Sequence, residues 1–156
     1  MTGRTHLKKK KQTSKRFTQK RKGSWLKGIP KNLSPLQQAY GLAQRASQVG
    51  FDWPNLKGVL RKLEEELAEF QEALRSKNHQ RIFEEMGDLL FVLTNVARFL
   101  QINPEEALKK TLKKFRLRFQ YIESSLSRKG KSLSQSNLLE MDHLWEEAKR
   151  KKGRFK

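Results

Sequence analysis

Two stretches decide the fold of this chain: Leu63-Glu64-Glu65-Glu66-Leu67-Ala68-Glu69-Phe70 and, after a short break, Glu84-Glu85-Met86-Gly87-Asp88-Leu89-Leu90-Phe91-Val92-Leu93. The first lies in a run where Leu56, Leu60, Leu63, Leu67, Phe70 and Leu74 alternate spacings of four and three, which is a helix with a continuous apolar stripe. Ser76 to Asn78 break that pattern, and a further helix is expected from about Gln80 to Leu100. Its centre, Leu89 to Leu93, is apolar on every side, so this helix should lie in the middle of the assembly.

Each stretch carries a pair of acids three residues apart: Glu66 with Glu69, and Glu85 with Asp88. That spacing puts both members of a pair on one flank of its helix. A short antiparallel connection would set the two pairs opposite each other, and four carboxylates so placed raise one another's pKa unless a cation lies between them. A hard divalent ion answers the need. Mg²⁺ takes oxygen ligands, keeps several waters and is completed by substrate phosphates, with Mn²⁺ as a substitute, and the chain offers no competing thiolate. A single E-x-x-E in a glutamate-rich helix is usually a solvated face. The second pair changes the balance, because Asp88 abuts the apolar run and is expected to be partly buried, where an unpaired acid is costly. Gly87, inside a helix at a cost of about 1 kcal/mol relative to alanine, suggests a close backbone approach. A di-iron reading is disfavoured, since neither His79 nor His143 stands in Glu-x-x-His spacing beside an acid pair.

Outward from this centre the pattern stays helical. Ser34-Pro35 reads as an N-cap and first helical residue of a helix reaching about Gln48, stopped by Gly50. Phe51-Asp52-Trp53-Pro54 reads as an ordered aromatic connector, because two large rings beside a proline are seldom left in water. Asn103-Pro104-Glu105-Glu106 supplies a cap, an N1 proline and a capping-box glutamate for a helix striped by Leu108, Leu112, Phe115, Phe119, Ile122 and Leu126. Gly130 ends that region, Ser132 to Ser136 form a loop, and Asn137 caps a last helix through Leu138, Met141, Leu144, Trp145 and Ala148. No strand or repeat is seen. The expected fold is all-α, a four-to-five-helix bundle with antiparallel neighbours.

The formal charge of +19 is unevenly spread. Residues 1–27 hold eleven of the 35 Lys and Arg and no acid, which leaves 35 − 11 − 16, or about +8, for residues 28–156. The first segment has too few apolar anchors to build a core and is read as a disordered basic arm, and the remainder as one helical domain. Such an arm binds phosphate backbones with little sequence preference, so one function it suggests is that of a nucleic-acid- or ribosome-associated binding protein. The absence of cysteine excludes disulfides, thiolate metal sites and cysteine nucleophiles, and suits a cytoplasmic setting. The longest apolar run, Leu89 to Leu93, is far short of the roughly 20 residues of a membrane span, so no membrane partner is expected.

Lys110, Lys114 and Arg118 form an i, i+4 ladder beside the apolar stripe, placed to meet phosphate oxygens that bridge bound ions or, more plainly, to form a solvated basic face. Asn95, seven residues beyond Asp88, would bind a base or sugar, or satisfy a buried backbone group.

These residues resemble a known family. Glu65-Glu66-Leu67-Ala68-Glu69 followed by Glu84-Glu85-Met86-Gly87-Asp88 is similar to the EExxE and ExxD signature of MazG proteins in the all-alpha NTP pyrophosphatase superfamily. The similarity runs from about Ile29 to Lys151 and includes Arg45 to Pro54, Asn95-Val96-Ala97-Arg98, Lys114-Phe115, Arg118-Phe119 and Trp145-Glu146-Glu147. It resembles the second domain of two-domain members. The resemblance implies a dimerising helical bundle that splits nucleoside triphosphates into monophosphate and pyrophosphate with Mg²⁺. Carried over, it implies metal at Glu66, Glu69, Glu85 and Asp88, phosphate contacts from Lys114 and Arg118, a nucleotide pocket helped by Trp145, and Glu65 assisting as base. Leu112 stands where relatives often have Asn, which departs from the pattern in base or sugar recognition.

Overall fold

The computed structural model describes residues 24–151, and within them every regular element is helical. Five α-helices follow in order: α1 Pro35–Ser47, α2 Leu56–Ser76, α3 His79–Phe99, α4 Pro104–Arg128 and α5 Leu138–Arg150, with one turn of 3-10 helix, Leu133–Gln135, inside the expected loop. Most of the basic arm, residues 1–23, lies outside the described residues. Residues 24–27 make a turn, with the Lys27 amide donating to the Ser24 carbonyl, and Arg45 of α1 donates to the carbonyls of Lys27 and Gly28.

The helix starts follow from local chemistry. Ser34 closes a reciprocal capping box with Gln37. The side-chain oxygens of Asn55, Asn78, Asn103 and Asn137 accept first-turn amides of α2, α3, α4 and α5, groups that have no partner within their own helix. The capping box expected at α4 does not form. Glu106 turns outward to Lys109 at 2.9 Å, while Glu105 accepts from the Ser34 hydroxyl at 2.6 Å and so ties the start of α4 to the start of α1.

Two hairpins result. Only Lys77 and Asn78 separate α2 from α3, with Lys77 in the left-handed region (φ 53°) reversing the chain. Glu72 meets Arg81 near the turn while Glu66 lies beside Glu85 and Asp88 farther along, an antiparallel register. α4 and α5 pair likewise. Lys129 and Lys131 reach Glu140 near the connection, and the Tyr121 hydroxyl reaches Glu147 farther from it. Ile122, Leu126 and Leu144 are the core of this second hairpin, with Phe119, Leu133, Met141 and Trp145 around them. α1 joins the two, packing on α3 and α4. The Asp52 carboxylate accepts two hydrogen bonds from the Arg98 guanidinium of α3, which pins the connector between α1 and α2.

Three burial expectations are corrected. α3 does occupy the middle, touching α1, α2 and α4, yet Leu90 and Leu93 are about half exposed (51% and 49%). Asp88 is exposed, and a Cβ on Gly87 would meet nothing within 4 Å. Among the described residues nothing packs against Gly87, and Asp88 stays open to solvent on that side of α3. Phe51 is 82% exposed, while its companion Trp53 packs over Gly58, where an added Cβ would come within 3.3 Å of the tryptophan Cβ.

Candidate metal centre

α2 and α3 bring the two acid pairs together as their spacing requires. A carboxylate oxygen from each of Glu66, Glu85 and Asp88 lies within 4.8 Å of the others. Glu69 stands beside them. Its carboxyl is held above the usual carboxylate range, first by desolvation and then by the charge of Glu66, with Glu85 adding to it. The donor set is entirely oxygen and carries up to four negative charges, which fits a hard divalent cation and leaves softer metals without a thiolate or imidazole ligand.

Glu66 is 6% exposed, a burial that a carboxylate tolerates only when paired. Its partner is Lys62, one turn earlier on α2, whose Nζ lies 2.7 Å from Glu66 and 2.6 Å from Glu65. Both contacts, Glu65 first, raise the lysine above its ordinary pKa. At the other end Arg81 stands 3.6 Å from Glu85 and 3.2 Å from Glu72. Two cations therefore flank the acid site, one from each helix. Sequence reading assigned neither of them, although the signal was present: each cation stands four residues before an acid of the cluster.

The other candidate residues fall in three places. Glu65, the candidate base, is more than half exposed and engaged by Lys62. Asn95 is buried on α3, where its Nδ2 donates to the Phe91 carbonyl at 3.4 Å and its Oδ1 accepts from Arg98 Nε at 3.2 Å, so within the chain it satisfies backbone and orients Arg98. Lys110 and Lys114 lie on the half of α4, residues 106–116, that is exposed throughout. Arg118, one turn on, places its guanidinium carbon 5.4 Å from the centre of the Trp145 ring. Trp145 in turn meets Phe115 at 5.3 Å and lines an open apolar cleft of about 350 Å³ with Phe119, Ile122, Leu138 and Met141. The basic ladder and the acids thus occupy different hairpins, and the ladder's N-terminal end is uncovered.

Residues 55–122, from the cap of α2 through most of α4, match the MazG nucleotide pyrophosphohydrolase domain. The chain carries a MazG domain. All four candidate metal ligands and the whole basic ladder fall inside it, whereas Trp145 and α5 lie beyond it. Among characterised sequences, the nucleoside triphosphate pyrophosphohydrolase/pyrophosphatase MazG of Thermotoga maritima is 43% identical over 121 residues, covering 75% of this chain and 46% of the relative. The nucleoside triphosphate pyrophosphohydrolase of Escherichia coli K12 is 37% identical over 134 residues, covering 85% of this chain and 51% of the relative. YabN of Bacillus subtilis, an uncharacterised protein, is 55% identical over 65 residues, 42% of this chain and 13% of that protein. The chain spans about half the length of the first two relatives.

Proposed function

We propose that this protein hydrolyses nucleoside triphosphates between the α and β phosphates, releasing the monophosphate and pyrophosphate, with Mg²⁺ held by Glu66, Glu69, Glu85 and Asp88. The observation that carries the proposal is the oxygen-only cluster on α2 and α3, inside the matched domain. When bound, the ion polarises the phosphate oxygens and makes a coordinated water a better nucleophile at neutral pH. The chain's own part is electrostatic and positional. Lys110, Lys114 and Arg118 balance the charge that develops on the phosphates, and the cleft beside Trp145 receives the base by stacking. Glu65 assists as a proton acceptor through the carboxylate oxygen that Lys62 does not hold.

A second copy of the chain completes the enzyme. Leu67 and Leu74 of α2, Leu90 and Leu93 of α3, and Leu108, Leu112 and Phe115 of α4 are all between two-fifths and just over half exposed. So many large apolar side chains on three helices are an association surface. A homodimer would cover them, bring a neighbour against Gly87 and Asp88, and carry a basic ladder toward the acids of the facing chain.

Pyrophosphate release from each common NTP and dNTP, with Mg²⁺ and with chelator, tests the reading. Chelator-sensitive pyrophosphate appearing in equal amount with the monophosphate supports it. Release of inorganic phosphate instead, or no turnover by folded protein on any of them, refutes it.

The eleven Lys and Arg of residues 1–27 favour a second, compatible reading, in which the arm tethers the enzyme to nucleic acid. Binding of full-length protein and of a version lacking residues 1–27 to RNA and DNA across a salt series decides it. Equal, salt-insensitive binding by both rejects it.

A further inference from the structure

Lys62 is oddly placed for a helix-stabilising lysine. A glutamate preceding a lysine by four residues is the arrangement that supports an isolated helix better, because it agrees with the helix dipole, and here the order is reversed. Arg81 and Glu85 repeat the reversed order on α3. Helix pairing therefore gives only the weaker of its two orientations as a reason for either cation. What the two share is position: because the hairpin is antiparallel, Lys62 closes one end of the acid cluster and Arg81 the other.

The two ends are not alike. Arg81 is the looser, at 3.6 Å from Glu85 and nearer to Glu72. Lys62 sits at 2.7 Å from Glu66, the most buried carboxylate of the cluster. A divalent ion must take that same carboxylate, and an ammonium group at hydrogen-bond distance competes with it for oxygen lone pairs and for charge. Lys62 also has somewhere to go. Its other partner, Glu65, is exposed and belongs to no ligand pair, and at 2.6 Å it already holds the same nitrogen.

We propose that Lys62 is a resident counter-cation of the acid site: it neutralises Glu66 while the site lacks an ion, passes to Glu65 when a divalent ion enters, and so sets the affinity for that ion. The inference rests on the metal-site reading above. It gives the cluster a charge balance in both states, since without an ion the carboxylates keep a lysine among them and with an ion the lysine is released to the rim. Lys62 acts here as a positioning residue, through Glu66.

The test uses the full-length protein, with Mn²⁺ or Mg²⁺ alone as probe and no nucleotide. Lys62→Met removes the charge at nearly constant length. Its Mn²⁺ affinity, followed by electron paramagnetic resonance or calorimetry, is expected to rise roughly five- to tenfold, as loss of a competing charge at this distance predicts. In chelator the variant is expected to melt below wild type, because the carboxylates then lack their lysine, and saturating Mg²⁺ is expected to close that gap. Lys62→Arg, which keeps the charge, is expected to bind the ion as wild type does. Glu65→Gln is expected to weaken ion binding by leaving Lys62 on Glu66, and to do so much less in the Lys62→Met background. Unchanged or weaker ion binding by Lys62→Met, with wild type binding normally, overturns the proposal and leaves the metal site standing. Failure of wild type itself to bind either ion overturns both.

Discussion

The two hairpins of this protein differ in how far one chain suffices for them. The α2–α3 hairpin assembles its chemistry alone: a two-residue turn sets the register, and Glu66, Glu85 and Asp88 converge without help from any other helix. The first half of α4 is the reverse case. Residues 106–116 are exposed throughout, with a basic ladder beside an apolar stripe that reaches α5 through Phe115 and is otherwise largely open to solvent. A ligand cluster can be finished by side chains within a turn or two of a hairpin, whereas a stripe of leucines declares only that something apolar must lie against it.

That contrast can be broken most directly at the acids. Glu66→Gln or Asp88→Asn is expected to lower pyrophosphate release at least about 100-fold, because each removes a charged ligand with little change in shape. Both variants should fold, and in chelator Asp88→Asn should melt no lower than wild type, since like charge is removed, whereas Glu66→Gln also gives up its pairing with Lys62. Wild-type turnover in both would mean that the hairpin's cluster is not the active centre. Next in size is the uncovered stripe. Leu112→Asp or Phe115→Asp is expected to weaken self-association more than tenfold, as an unpaired charge in an apolar contact would. Analytical ultracentrifugation reads this, and an unaltered oligomer would show that the stripe serves some other purpose. Both side chains are about half exposed in the chain, so helical content by circular dichroism should be kept.

Smaller effects test the joints between regions. Asp52→Asn removes the carboxylate that Arg98 grips twice, with the two side chains 24% and 11% exposed, and is expected to cost about 1–3 kcal/mol in urea unfolding. The smallest lies in the second hairpin. Glu140 is held down to about 2 by hydrogen bonds from Lys131 first, then from Ser136 and Lys129. A carboxyl with a lowered folded-state pKa adds stability above its ordinary value near 4.5 and loses it as pH falls toward 2. Glu140→Gln should therefore flatten the pH dependence of the melting temperature between those limits, by a degree or two because the group is only partly buried and solvent screens it. An identical acid profile in the variant would remove Glu140 from the account.

Much of this was readable in advance where the cause is local. The serine and asparagine caps, the prolines at Pro35 and Pro104 and the four-three spacing of leucines marked the helices, because each acts within one or two turns. The acid pairs were readable for the same reason, with a short turn to bring them together. Readings failed where the outcome depends on what lies across a surface. The apolar run Leu89–Leu93 suggested burial for Asp88 and contact for Gly87, and in a single chain that face is open. Phe51 was expected to be sheltered by the same argument and is not. The Arg98–Asp52 pair, 46 residues apart, leaves no periodic trace. Lys62 and Arg81 were visible at helical spacing, but cations beside acids on a helix are common enough to pass as solvated pairs.

The brief link between α2 and α3 has a kinetic side. Glu66 and Glu85 are only 19 residues apart in the chain, so closing the acid cluster costs little loop entropy and is expected early in folding. In the proposed dimer the leucines of α4 would wait for a bimolecular encounter. A newly made chain would then pass through a monomer whose ion site is already formed while its greasy flank is still bare, the stage at which such a chain is most prone to aggregate, and at which a divalent ion could hold the first hairpin closed until a second chain arrives.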